Sequence, residues 1–203
     1  MPKNILRIIS SPRGSRSLSF QLGNAIVQKI QARYPGSRLK ERNLNTEIFP
    51  HLQETLISSF FTPAENHSPE QSAAIKYSDQ AIAELRDADI LVIDTPMYNF
   101  TITATLKNYF DHIVRRGLTF RVTEQGAEGL LKNKKAYLAF SSSGIYSAGG
   151  PDKSNDFVTP LVKAILGWIG VSDIEVYRAE GFRYPGIGED AALQKGIESI
   201  SIA

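Results

Sequence analysis

Apolar positions along this chain fall into short unbroken runs separated by stretches of helical period. Ile5-Leu-Arg-Ile-Ile9 opens the series and leads into Ser10. A near-continuous apolar run of this length predicts a strand covered on both faces, as in the middle of a parallel sheet. Leu18, Leu22, Ile26 and Ile30 then recur at helical spacing with Phe20 and Val27 beside the stripe. Ser17 stands where that helix needs an N-cap, and Tyr34-Pro-Gly36 closes it. Arg38 to Leu44 is polar, the pattern of an exposed edge strand. Thr46 to His67 has no clear period, yet Phe49, Leu52, Leu56, Ile57, Phe60 and Phe61 make it too apolar for a solvated linker. Such a segment is expected to pack on the domain, or to line a site or a partner surface.

Ser68-Pro-Glu-Gln71 reads as a capping box with Pro at the first helical position, opening a helix to about Asp87. Ile90 to Ile93 is the next buried strand, ended by Pro96, which has no N–H to give a ladder. The cluster Met97-Tyr-Asn-Phe100 follows, and Thr101 to Arg116 reads as an amphipathic helix with Leu106, Tyr109, Phe110, Ile113 and Val114 on one face, stopped at Gly117. Thr119 to Gly129 is expected to be a hairpin or loop excursion. Lys135 to Phe140 is the fourth strand, running into a small-residue loop from Ser141 to Gly150. Phe157 to Gly170 is a helix with Trp168 near its end, Ile174 to Tyr177 the fifth strand, and a last helix starts near Glu189.

Five β segments alternating with helices predict one α/β domain over residues 1–203, a doubly wound parallel sheet with right-handed crossovers and helices on both faces. Five strands favour the flavodoxin-like order 2-1-3-4-5, which makes strands one and three neighbours at the switch point. The turn Ser10–Ser19 and the loop Met97–Phe100 then meet in space. At 203 residues and 42% hydrophobic content, the chain can bury one core. Its formal charge of +2 and lack of any Lys/Arg block give no sign of a nucleic-acid or membrane face. Without cysteine there is no disulfide, thiolate metal site or Cys nucleophile. Neither a leader pattern nor an eighteen-residue apolar run is present, so a soluble cytoplasmic protein is expected.

The first turn gathers Ser10, Ser11, Ser15, Ser17 and Ser19 where a helix begins, a plausible seat for a phosphate dianion; caps and turns alone are the plainer reading. It is neither a Walker A loop nor G-x-G-x-x-G. Arg13 and Arg16 are read as solvated. Met97, Tyr98 and Phe100 could simply cap the core, but Asn99 between aromatics at a strand's carboxyl end better suits something planar and polar. A monophosphate at one loop and a flat heteroaromatic at the other describe a mononucleotide, with FMN the natural candidate. Ser141 to Gly144, one strand over, could complete the ring contacts or be a flexible turn. His51, His67 and His112 lack metal-ligand spacing and are read as surface or helix-end residues, and there is no Gly-x-Ser-x-Gly elbow. Trp168 is a packed helix residue or an aromatic lid.

Ser10-Ser11, Ser17-Leu-Ser19, Gln21-Leu22, Pro96-Met-Tyr-Asn-Phe100, Leu106-Lys-Asn-Tyr-Phe-Asp111, Gly117-x-Thr-Phe-Arg121, Gly129-Leu130, Leu166-Gly-x-Ile-Gly170 and Ala179-Glu-Gly181 carry a resemblance over essentially the whole length. With them the chain resembles the FMN-dependent NADH:azoreductases and quinone reductases of bacteria. The resemblance implies a flavodoxin-like homodimer with one FMN per subunit near the dimer interface. The implied flavin contacts are Ser11, Ser17, Leu18, Ser19, Met97, Tyr98, Asn99, Phe100, Ser141, Ser142, Ser143 and Gly144. It also implies a ping-pong cycle in which NADH or NADPH gives hydride to flavin N5, and a quinone or azo compound is then reduced. No dedicated catalytic side chain is expected; Phe100 and Trp168 are the expected stacking walls, Trp168 from the partner subunit. Leu18 stands where a polar residue is common, leaving only its backbone to contribute. Ser142-Ser143 replace a more usual Arg-Gly, and Val122 occupies a position aromatic in some relatives. The alternatives are an FMN reductase that releases reduced flavin, a flavodoxin-like electron carrier, or a non-catalytic flavin-binding protein. Carriers tend to be strongly acidic, whereas this chain has a pI near 8.8.

Overall fold

Five parallel strands run through the middle of the computed structural model, which describes residues 1–202. In chain order the elements are β1 (Asn4–Ile9), α1 (Leu18–Arg33), β2 (Arg38–Asn43), α2 (Glu54–Ser59), α3 (Pro69–Asp87), β3 (Ile90–Pro96), α4 (Ala104–Ile113), β4 (Phe120–Thr123), β5 (Gly126–Gly129), β6 (Lys135–Ser142), α5 (Val158–Trp168), β7 (Asp173–Glu180) and α6 (Glu189–Glu198). The order expected for five strands, 2-1-3-4-5, is replaced by β2-β1-β3-β6-β7. The reason is physical: β4 and β5 leave the main sheet and pair with each other in an antiparallel hairpin, so along the chain they separate β3 from β6, which pair directly.

Side-chain alternation along the strands divides the core in two. Leu6, Ile8, Leu91, Ile93, Leu138 and Phe140 pack with α3, α4 and α5 on one face. Ile5, Ile90, Val92, Tyr137 and Ala139 meet Leu18, Leu22, Ile26 and Ile30 of α1 and Leu193 and Ile197 of α6 on the other. β3 is buried along its whole length, as the central strand of such a sheet must be. β2 is the polar edge strand that its sequence foretold.

The capping box at Ser68 forms as expected: Gln71 N donates to Ser68 Oγ at 3.2 Å and Ser68 N to Gln71 Oε1 at 3.0 Å. Ser17 does not cap α1 with its side chain, because its hydroxyl is engaged with that of Ser19 at 2.9 Å. The strand expected to stop at Pro96 includes it. Successive N–H groups point to opposite sides of a strand; Met97 N donates toward β6, to Ser141 O at 2.8 Å. The proline nitrogen therefore faces the β1 side, beyond where β1 has ended at Ile9. The helix expected from Thr101 to Arg116 is shorter, Ala104–Ile113. Thr101 is spent closing a turn, Thr103 Oγ1 caps by accepting from Leu106 N at 3.2 Å, and Thr119 Oγ1 donates to Ile113 O at 2.6 Å. Two glycines of the family-like motifs explain themselves: a Cβ on Gly129 would lie 2.1 Å from Gly170 N, so β5 and the turn after α5 touch backbone to backbone.

Candidate functional site

Strands β1, β3 and β6 end side by side, and the loops that leave them enclose a cleft of about 550 Å³. Ser11, Ser17 and Leu18 line one end of it, and Met97, Tyr98, Asn99, Ser141, Ser142 and Ser143 also line it. Its size and mixed lining are those of a small-ligand site. The two distant stretches singled out by the sequence do converge.

At the first end, Gly14 to Arg16 make a single 3-10 turn, and Ser17 enters α1 with extended backbone, its N–H bonded to Gly14 O at 3.0 Å. No side chain caps α1 and no acid lies in its first turn. The opening N–H groups of a helix have no intrahelical acceptor, and together with the helix dipole they favour an anion. Ser10 is fully buried and serves the sheet, donating from N and Oγ to Asp94 O at 3.1 and 2.9 Å. Ser19 is buried behind Ser17 and does not line the cleft. Arg13, read as solvated, is half exposed but does line the cleft, with its guanidinium 3.6 Å from Glu189.

At the second end the chain reverses at Tyr98–Thr101. Tyr98 N donates to Thr101 O at 3.0 Å and Thr101 N to Tyr98 O at 3.1 Å, while Asn99 and Phe100 take φ of 47° and 71°. Positive φ at both central residues is the type I′ turn, which ordinarily wants glycine. A phenylalanine held there is backbone strain, the kind that collects at ligand sites. The turn is fixed from outside by Phe157 N, which donates to Phe100 O at 3.2 Å. Tyr98 and Phe100 are about half exposed, so they do not cap the core; Met97 does pack against it. Phe100 projects outside the cleft lining.

The third loop is held rather than loose. Ser142 Oγ donates to Gly144 O at 3.1 Å, and Gly181 N donates to the carbonyls of Ser142 and Gly144 at 3.1 and 3.0 Å. Ser143 is exposed at the cleft, whereas Gly144 is buried and packs so closely that a Cβ would come 2.5 Å from the Asp152 carboxylate. Phe182 and Arg183, missed by sequence reasoning, form a further wall. Their signal was the Ala179-Glu-Gly181 motif at the end of β7: Gly181, at φ 79°, turns the chain toward the same end of the sheet. Trp168 lies away from this cleft, half exposed, with its ring 5.7 Å from that of Phe120.

Electrostatically the cleft is one-signed: Arg13 and Arg183 line it, and no carboxylate among the described residues does. Beneath it, Arg7 and Asp94 form a buried pair, Arg7 Nε donating to Asp94 Oδ2 at 2.8 Å. Burial pushes the Asp94 carboxyl up to about 7 against the pull of Arg7. His112, expected at a surface or helix end, is at the end of α4 but fully buried; Nε2 lies 2.9 Å from Pro50 O, and desolvation lowers its pKa. His51 and His67 bond to Asn108 and to the Ser59 and Thr62 carbonyls. An acid-free helix start with free N–H groups, beside a polar-edged aromatic turn, fits a phosphorylated flat heteroaromatic such as FMN.

The family model described as flavodoxin-like fold matches residues 3–201. The FMN-dependent NADH:quinone oxidoreductase 6 of Burkholderia lata is 42% identical over 199 residues, covering 98% of each chain. The FMN-dependent NADH:quinone oxidoreductase of Burkholderia thailandensis is 44% identical over 190 residues, covering 94% of this chain and 92% of its own. Among solved structures, an azoreductase from Bacillus anthracis superposes with a TM-score of 0.88 at 25% identity, covering 97% of this chain and 95% of its own. From this match along nearly its whole length, the chain belongs to the flavodoxin-like family of FMN-dependent NADH:quinone oxidoreductases.

Proposed function

We propose that this chain is an FMN-dependent NADH:quinone oxidoreductase that also cleaves aromatic azo compounds to amines. The observation that carries the reading is the meeting, in one acid-free cleft, of the uncapped start of α1 with the strained Tyr98–Thr101 turn. The N–H groups at the start of α1, with Ser11, Ser17 and the Leu18 backbone, hold the phosphate, and Ser19 supports them through Ser17. The backbone of Met97 to Phe100 and the Asn99 amide orient the polar edge of the ring, and Ser141 to Gly144 close its far side. FMN held by these residues would supply the redox chemistry, two-electron transfer from NADH to the acceptor. The protein's part is to fix the ring, to keep one face open for donor and acceptor in turn, and to place N–H dipoles where negative charge develops. Taking turns at one face makes the kinetics ping-pong. Azo cleavage then needs two rounds: one N=N bond, two NADH and two protons give two amines and two NAD⁺.

Phe100, half exposed beside the cleft, stacks the acceptor. Trp168 can do so only from the partner of a homodimer. Leu52, Ile57 and Phe61, apolar and exposed on the segment around α2, support such a dimer. The test is optical. Protein that keeps its yellow colour through gel filtration, is bleached by NADH alone and recovers on adding quinone is the oxidoreductase. Protein that stays yellow with NADH is a carrier or a passive flavin binder, and protein that loses flavin on the column is a reductase of free FMN.

A further inference from the structure

Arg7 interrupts the first apolar run, and it is only 2% exposed. Alternation along β1 turns it, with Ile5 and Ile9, toward α1. There it contacts three elements. Its Nε and Nη2 reach Asp94 Oδ2 of β3 at 2.8 and 2.6 Å, and Nη1 donates to Glu41 of β2 at 2.8 Å. Toward α1, Nη1 donates to Asn24 Oδ1 at 2.6 Å and Nη2 to the Phe20 carbonyl at 2.7 Å. Phe20 lies in the first turn of the helix whose start lines the cleft. Asp94 presses on the same helix: a Cβ on Gly23 would lie 2.0 Å from Asp94 Oδ1, an oxygen with no hydrogen-bond partner among the described residues. The Asp94 carbonyl also holds Ser10, next to Ser11 of the cleft. A buried ion pair is a poor source of net stability compared with apolar packing.

We propose that Arg7 and Asp94 are positioning residues for the phosphate end of the cleft, the guanidinium tethering the first turns of α1 and the carboxylate, seated against Gly23, setting their distance from the ends of β1 and β3. The inference rests on the FMN reading of the cleft. FMN and riboflavin share a ring and differ at the phosphate, so the ratio of their affinities isolates that end. The experiment titrates flavin-free protein with each and follows flavin fluorescence. Arg7→Met removes both tethers, and Asn24→Ala removes one without changing charge. Arg7→Met is expected to weaken FMN about tenfold or more while riboflavin shifts by less than about twofold, the scale of losing hydrogen bonds from a charged donor. Asn24→Ala is expected to move the ratio the same way by a smaller factor, and it carries the test if Arg7→Met does not fold. Equal losses for both flavins would make the pair merely structural, and an unchanged ratio in both variants would overturn the proposal. Unaltered protein that takes up neither flavin would overturn the FMN reading itself, and this inference with it.

Discussion

A carboxyl buried between the sheet and α1, with one oxygen unpaired among the described residues, makes stability depend on pH. Asp94 has an ordinary pKa of 3.8 when unfolded, and burial raises it to about 7 in the folded chain. The folded state therefore binds a proton more tightly than the unfolded one. Its contribution is fully present below about pH 4 and is lost as pH rises to about 7, with a slope of up to roughly 1.4 kcal/mol per pH unit. Urea midpoints of the unaltered protein and Asp94→Asn should diverge across that window, the variant gaining relative stability as pH rises. Midpoints that keep a constant separation across that window would mean that Asp94 stays ionised through its pairing with Arg7. Neither residue's role was legible in the sequence. Arg7 and Asp94 each sit in or beside an apolar run and read only as strand; their pairing joins positions 87 apart, which no local pattern reveals. That Ser11, Ser17 and Met97 to Asn99 come to one cleft was legible because hydroxyl-rich turns and strand-end aromatics have local signatures. Gly144 and Ser19, in the same motifs, turned out to be supports behind the lining.

Local chemistry decided which elements could be foreseen. The capping box at Ser68 is complete within four residues, and it formed. Ser68→Ala is expected to cost about 1 kcal/mol, read as a shift in the urea midpoint. The start of α4 was harder, since the Tyr98–Thr101 turn takes residues whose amphipathic pattern continues the helix. Asn-Phe is not the Asn-Gly that announces a type I′ turn. α2 is only six residues long in a stretch with no period, too short for periodicity to speak. The strained turn gives the sharper prediction. Phe100→Gly should relieve the left-handed strain and leave stability unchanged or raised by up to about 1 kcal/mol. At the same time it removes a half-exposed ring, so bound flavin should be retained and quinone KM should rise. Stability in thermal denaturation and KM in steady-state assays would thus move apart. A clear fall in stability would show instead that packing of the Phe100 ring holds the turn.

At the scale of the molecule, parallel strands with helices on both faces follow from alternating runs and periods, and the β4–β5 hairpin falls within the expected excursion from Thr119 to Gly129, whereas no local pattern says whether or how copies associate. Exposed apolar side chains are the surface expression of that gap. Phe61 is 77% exposed and Trp168 50%, and neither lines the cleft of its own chain. If a second copy covers Phe61 and delivers Trp168, the acceptor site is complete only in the dimer, while the flavin is gripped by one chain's loops. Sedimentation at micromolar concentration should then give twice the 22.4 kDa chain mass. Phe61→Glu places a charge where an apolar contact is expected, and burying an unpaired carboxylate is costly enough to favour separation. That variant should sediment as a monomer, keep its yellow colour, and turn over quinone more slowly. Trp168→Ala should stay dimeric and lose acceptor affinity alone. A protein that is monomeric before any substitution, yet fully active, would leave Trp168 no route to the acceptor and confine the stacking wall to Phe100.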